Sequence, residues 1–172
     1  MSITAPEPIS ISALEEALEG ICTKVPELNP DLVLLGNLIH LLQTKINSSI
    51  DGYLKKYGLS ISSWYGLWAI YSRPENELQP SEMSKILNLS RTSITRLSDE
   101  MVEKGWLIRY AQPEDRRKVT LKLTHTAEKL LKETLPVVSD IRNKIWSELE
   151  VNELQELKRL LLKTLMVKKS TR

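Results

Sequence analysis

Apolar residues along this chain recur mostly three and four positions apart, and they alternate in one short interval only. Leu14, Leu18, Ile21 and Val25 predict a short amphipathic helix from Ile11 that Pro26 ends. After Pro30, Leu35, Leu38, Ile39, Leu42, Ile46, Ile50, Tyr53 and Tyr57 form the stripe of a long helix over roughly Asp31 to Tyr57, stopped by Gly58. A third helix, about Ser60 to Ser72, carries Trp64, Tyr65, Trp68 and Tyr71, and "RPENELQP" reads as a loop. Two short helices follow across the brief link "NL". In "PSEMSKIL", Pro80 suits a first helical turn and Met83, Ile86 and Leu87 point inward. In "SRTSITRLSDEMVEKG", Ser90 is the N-cap, Ile94, Leu97 and Met101 are the buried stripe, and Gly105 is the C-cap.

The alternating interval comes next. Trp106, Ile108 and Tyr110 form one strand face and Val119, Leu121 and Leu123 the other, around the turn "QPEDRRKV". A long helical pattern then runs from near Thr124 to near Leu149, with a kink expected at Pro136, and a last helix carries Leu154, Leu157, Leu161 and Leu165. Two short helices, a tight turn and a hairpin follow the order of a winged helix-turn-helix. The expected fold is therefore mainly α (α+β), with a two-stranded wing hairpin and helical segments at both chain ends.

Composition narrows the function more than it names it. With 41% apolar and 27% charged residues, 172 residues suffice for one core, and a net charge of +2 identifies no partner. Its distribution says more: residues 1–30 hold five acids and one lysine, whereas residues 90–125 hold eight bases and five acids. The last ten residues add Lys163, Lys168, Lys169 and Arg172 and no acid. A single cysteine, Cys22, excludes an internal disulfide and a cysteine-rich zinc site, and suits a reducing compartment. The apolar runs are too short for a membrane span and the N-terminus shows no secretory pattern, so a cytoplasmic protein is expected. Two distant histidines, no Gly-rich phosphate loop and no nucleophile motif argue against an enzyme, and no catalytic residue, metal site or cofactor is expected.

The charged turn fits double-stranded DNA. Opposite the buried stripe of its helix, the second short helix offers Thr92, Ser93, Thr95, Arg96 and Asp99. Small hydroxyls permit close approach to a major groove, and arginine reaches guanine or phosphate. Ser90, Arg91, Thr92 and Ser93 open that helix, where free backbone N–H groups favour a phosphate. Arg116, Arg117 and Lys118 on the turn can reach an adjacent minor groove, while Asp115 pairs with an arginine and shapes the tip. By themselves, charges on a turn are more often simply solvated; the preceding helix-turn-helix changes that balance.

The stretch "MSKILNLSRTSITRLSDEMVEKGWLIRYAQPEDRRKVTLKLT" closely resembles the MarR family of bacterial transcriptional regulators. Asp115, Arg117, Leu123 and Thr124 match its wing pattern DxRxxxxxLT, and "RTSITRLSDEMVEKGW" with the N-terminal extension is most similar to the EmrR branch. The resemblance implies a homodimeric DNA-binding regulator, a repressor in the first instance, that reads a near-palindromic operator and is released by a small aromatic or phenolic effector. It implies four segments: an N-terminal extension (1–30), helices for dimerisation and a ligand crevice (31–75), the winged helix-turn-helix (76–124), and C-terminal dimerisation helices with a basic tail (125–172). Ser90, Arg91, Thr92, Ser93, Thr95 and Arg96 on the helix and Asp115, Arg116 and Arg117 on the wing carry over. One departure is Thr92, where many members have proline, so base preference can differ.

For the effector, Trp64 and Trp68 lie one helical turn apart and offer an apolar wall, with His40 and Gln43 as polar contacts. For each tryptophan, simple core packing is an equal alternative, and a lone histidine such as His40 is more often structural. Cys22 reads as a structural thiol rather than an oxidant sensor, and His125, without clustered partners, suggests no metal. The alternative to a ligand-released regulator is a winged-helix regulator that works without any effector.

Overall fold

Three helices of the protein begin in the same way. Ser60, Ser90 and Thr124 adopt extended backbone angles and accept, through their side-chain oxygens, the N–H of the residue three positions on. These caps start α3 (Ile61–Tyr71), α5 (Arg91–Glu103) and α6 (His125–Trp146). The remaining helices are α1 (Ile11–Lys24), α2 (Pro30–Leu54), α4 (Pro80–Leu87) and α7 (Val151–Leu165). Three strands, β1 (Glu77–Leu78), β2 (Leu107–Gln112) and β3 (Asp115–Leu123), complete the described elements. The computed structural model describes residues 11–112 and 115–166, including all of their side chains except those of 112 and 115–118.

The chain divides into two units within α2: residues 1–49, and residues 50–172. In the first, α1 and most of α2 bury only Leu18 among the described residues. The second holds the core, in which α3 supplies Trp64, Leu67 and Ile70, α5 supplies Ile94, Leu97 and Met101, and α6 supplies Ala127, Leu131 and Val138. Gly66 lets α3 approach α5 closely, since a Cβ there would meet Met101 Cε at 3.1 Å. The predicted stop after α5 is a Schellman turn. Gly105 takes a left-handed φ of 69°, its N–H bonds Val102 O at 2.9 Å, and Trp106 N–H bonds Met101 O at 2.9 Å.

The sequence expectation holds for a mainly helical winged-helix fold, but Ile86 of α4, expected to point inward, is 40% exposed, and two further corrections fall in the sheet. First, the sheet has three antiparallel strands in the order β1-β3-β2, not two. Glu77 and Leu78, expected in a loop, pair with Lys122 and Leu121. Two residues are too short a run to show alternation, so their pairing is decided by β3 rather than by local pattern. Second, the inner face of β2 is Leu107 and Arg109, not Ile108 and Tyr110. Leu107 is 2% exposed and pairs with Leu123, whereas Ile108 is 52% exposed. Trp106 is buried as well but lies before the strand, so counting the alternation from it assigned the wrong face.

Candidate nucleic-acid interface

The face of α5 that carries Ile94, Leu97 and Met101 is buried, which fixes the direction of the other face. Arg91, Thr92, Thr95, Arg96 and Asp99 are exposed and Ser93 is partly so. At the start of the helix, Ser90 Oγ lies 3.1 Å from Ser93 N and 2.8 Å from Ser93 Oγ, so the two hydroxyls hold each other. Thr95 Oγ1 donates to Arg91 O at 3.0 Å. Arg91 and Arg96 form no ion pair among the described residues, leaving two guanidinium groups available on this surface. A cleft of about 330 Å³ runs beside Arg91 and Thr95, bordered by Gln79, Ser81, Ile94 and Val119.

Asp99 is not free. Arg109 on β2 lies 2.7 Å from Asp99 Oδ1 and donates to Ser98 Oγ at 2.9 Å. That pair removes from the exposed face an acid that would repel phosphate and joins the helix to the hairpin. Arg109 was absent from the sequence-derived set; its signal was a charge alternating with Leu107 on a strand, visible only once the correct face is known. Thr124, from the wing pattern, caps α6 and donates to Gly105 O at 2.8 Å, tying the end of α5 to the start of α6. The side chains of Asp115, Arg116, Arg117 and Lys118 lie outside the described residues; their backbone forms the first half of β3.

The proposed effector residues occupy unlike settings. Trp64 is 1% exposed and its Nε1 donates to Thr134 Oγ1 at 2.9 Å, whereas Trp68 is 40% exposed. Both belong to the second unit; His40 and Gln43 belong to the first, where both are exposed and Gln43 Nε2 donates to Asn47 Oδ1 at 2.8 Å. Sequence reasoning missed Arg142 on α6. Its guanidinium packs over the Trp64 and Tyr65 rings, 5.5 and 5.4 Å from their centroids, and donates to Tyr65 Oη at 2.7 Å. It has no carboxylate partner among the described residues. Cys22 is half-buried and forms no disulfide.

A capped, outward-facing helix followed by a hairpin that is locked to it defines a winged helix-turn-helix protein. Comparison with known proteins carries this further. Residues 59–119 match the MarR family, and the chain is 30% identical over 156 residues to the transcriptional repressor MprA of Escherichia coli (strain K12), covering 91% of this chain and 89% of the relative. The multiple antibiotic resistance protein MarR of Escherichia coli (strain K12) is 29% identical over 78% of this chain and 93% of its own length. A crystal structure of a mutant MarR from E. coli complexed with operator DNA superposes with a TM-score of 0.72 at 28% identity, covering 81% of this chain and 99% of that one. AbsC, a MarR family transcriptional regulator from Streptomyces coelicolor, shares the fold with a TM-score of 0.73 at 15% identity over 78% of this chain and 91% of its own. The protein belongs to the MarR family of transcriptional regulators, and so is not an enzyme. Among the described residues no helix is long and apolar enough to cross a membrane.

Proposed function

We propose that the protein is a homodimeric repressor that binds a near-palindromic operator in double-stranded DNA and is released by a small aromatic acid or phenol. The observation that carries the DNA reading is the outer face of the first three turns of α5, where Arg91 and Arg96 stand unpaired among the described residues and the acid beside them, Asp99, is paired with Arg109. Ser90, Thr92, Ser93 and Thr95 shape the approach to the major groove, and Asp115, Arg116, Arg117 and Lys118 serve the wing. Helices α1 and α2 and helix α7, with Leu35, Ile39, Leu161 and Leu165 exposed, supply the dimerisation regions at both chain ends. Binding to chromosomal DNA requires the compartment that holds it, the cytoplasm of a bacterial cell.

Selection from random duplexes tests this reading. The expected product is a near-palindrome whose half-sites lie about one helical turn, roughly 10 base pairs, apart. A single asymmetric half-site bound by a monomer overturns it. In the same assay Arg117→Ala weakens binding and lowers the salt slope by about one unit if the guanidinium meets phosphate.

The effector reading rests on Trp68 and Arg142. An exposed indole and a half-buried guanidinium with no acid partner among the described residues suit a ring that bears a carboxylate or phenolate. The second reading, a regulator without an effector, is favoured by Trp64, whose ring and N–H are both committed to the core. A screen of aromatic acids and phenols for release of the selected operator separates the two. Trp68→Ala is expected to leave operator affinity intact while blunting release, because a ligand shifts the equilibrium only by its differential affinity for the two states.

A further inference from the structure

One carboxylate joins all three strands. Glu77, in the two-residue strand β1, accepts from Lys122 Nζ on β3 at 2.7 Å and from Tyr110 Oη on β2 at 2.5 Å, each with a different oxygen. Glu77 and Lys122 are register partners, and Lys122 in turn opposes Ile108, so the groups share the outer face of the sheet. Tyr110 is the penultimate residue before the register shift between Ala111 and Gln112. Of the three, Tyr110 stands beside the point where regular pairing ends, and Glu77 and Lys122 hold it from the next row of the same face, opposite Ile108.

The same segment is anchored on its other side. Asn76, at a left-handed φ of 52°, accepts Leu123 N–H at 3.0 Å and donates from Nδ2 to Glu128 Oε1 on α6 at 2.9 Å. On the inner face, Arg109 holds Ser98 and Asp99 of α5. Adjacent residues of β2 are thus gripped from both sides, Arg109 by α5 and Tyr110 by Glu77.

We propose that Glu77, Tyr110 and Lys122 form a wing-root clamp, tied to α6 through Asn76 and Glu128, and that they are positioning residues for the wing's contact with DNA. The proposal rests on the reading of the wing as a DNA-contacting element. An exposed ion pair of this kind adds little to global stability, so its effect is on direction. Arg117 lies three residues before Thr120, the register partner of Tyr110, or roughly 10 Å along an extended strand. A rotation of about 15° at the root displaces a group at that distance by about 2.5 Å, enough to break a hydrogen bond to phosphate. The clamp is also durable: its bonds to Lys122 and then Tyr110 hold the Glu77 carboxyl below the usual range, and the bond to Glu77 raises both Lys122 and Tyr110.

Full-length Glu77→Gln, Tyr110→Phe and Arg117→Ala proteins, each bound to the selected operator over a series of salt concentrations, test the proposal. Hydroxyl-radical footprints and thermal melts complete the set. Glu77→Gln and Tyr110→Phe are expected to weaken operator binding roughly 10-fold, to lower the salt slope by about one unit as Arg117→Ala does, and to lose minor-groove protection beside the half-site. Their melting temperatures are expected to stay near that of the unaltered protein. Should Glu77→Gln melt early, Tyr110→Phe decides, since it removes one hydroxyl and keeps the ring and the ion pair. If Arg117→Ala weakens binding while both clamp variants keep full affinity, salt slope and footprint, the clamp is refuted and the wing reading stands. Lost affinity with an unchanged slope and footprint also refutes the clamp. If Arg117→Ala itself changes nothing, the wing reading fails and the clamp falls with it.

Discussion

The middle of the chain and its two ends treat the same kind of amphipathic helix differently. Helix α5 buries Ile94, Leu97, Ser98 and Met101 within its own unit. Helix α7 has an equally regular apolar stripe and buries nothing: Leu154, Leu161, Leu162 and Leu165 are all exposed, Leu165 at 81%. In the first unit, Leu32, Leu35, Leu38 and Ile39 of α2 are exposed as well. Periodicity shows that a face will be covered; it does not show by which chain. The middle helices cover their stripes with residues of the same chain, whereas in the proposed dimer a second copy would cover those of the end helices.

Breaking one of those stripes gives the largest expected effect. Leu161→Glu places a charge on the face of α7 proposed to meet its partner. Sedimentation is expected to show a monomer, and operator affinity to fall by roughly 10²–10⁴-fold because the two half-site contacts are no longer linked. A dimer that persists with full affinity assigns that stripe elsewhere. The counterpart in the middle is Ile94→Ala, which removes a fully packed side chain. It is expected to cost about 2–5 kcal/mol in denaturant unfolding, whereas Leu35→Ala, exposed in the single chain, costs little in a dissociated protein.

The two tryptophans of α3 sharpen the comparison on a smaller scale. Trp64→Phe loses the bond to Thr134, but that hydroxyl still donates to Leu130 O at 2.8 Å, so no buried group is orphaned. Unfolding measurements are expected to show a loss of about 1–3 kcal/mol. Trp68→Ala is expected to stay within about 0.5 kcal/mol, as an exposed site should. Equal costs at the two positions would mean that Trp68 is covered in the assembled protein.

Much of the fold was legible because its signals are local. Ser90, Gly58 and Gly105 act through hydrogen bonds within a few residues of themselves, and the spacing of Ile94, Leu97 and Met101 is itself a local pattern. The helix-turn-helix and the family resemblance followed from them. What was not legible depends on partners distant in sequence. Glu77 becomes a strand residue only because Lys122 stands opposite, and Arg109 can face inward only because Ser98 and Asp99 receive it. Likewise nothing in the spacing of Trp64 and Trp68 reveals that Thr134, seventy residues on, claims one of them. Sequence period gives a face, and tertiary partners decide what that face meets.

The smallest effect separates folding from binding within the second unit itself, where two caps are near copies. Ser60 Oγ lies 3.0 Å from Ser63 N and 2.8 Å from Ser63 Oγ; Ser90 Oγ lies 3.1 Å from Ser93 N and 2.8 Å from Ser93 Oγ. As structural groups they should be interchangeable, each worth about 1 kcal/mol when replaced by alanine. Only Ser90 opens the helix proposed to enter the major groove, where the first N–H groups of α5 would meet a phosphate. Ser60→Ala and Ser90→Ala are therefore expected to lower unfolding free energy alike, while Ser90→Ala alone weakens operator binding, by a factor of about 3–10 for one lost hydrogen bond. Because the folded fraction stays near unity in both variants at this small cost, lost stability cannot imitate lost affinity. Equal operator binding by the two variants would remove Ser90 from the interface and leave α5 to act through Arg91, Thr92 and Arg96.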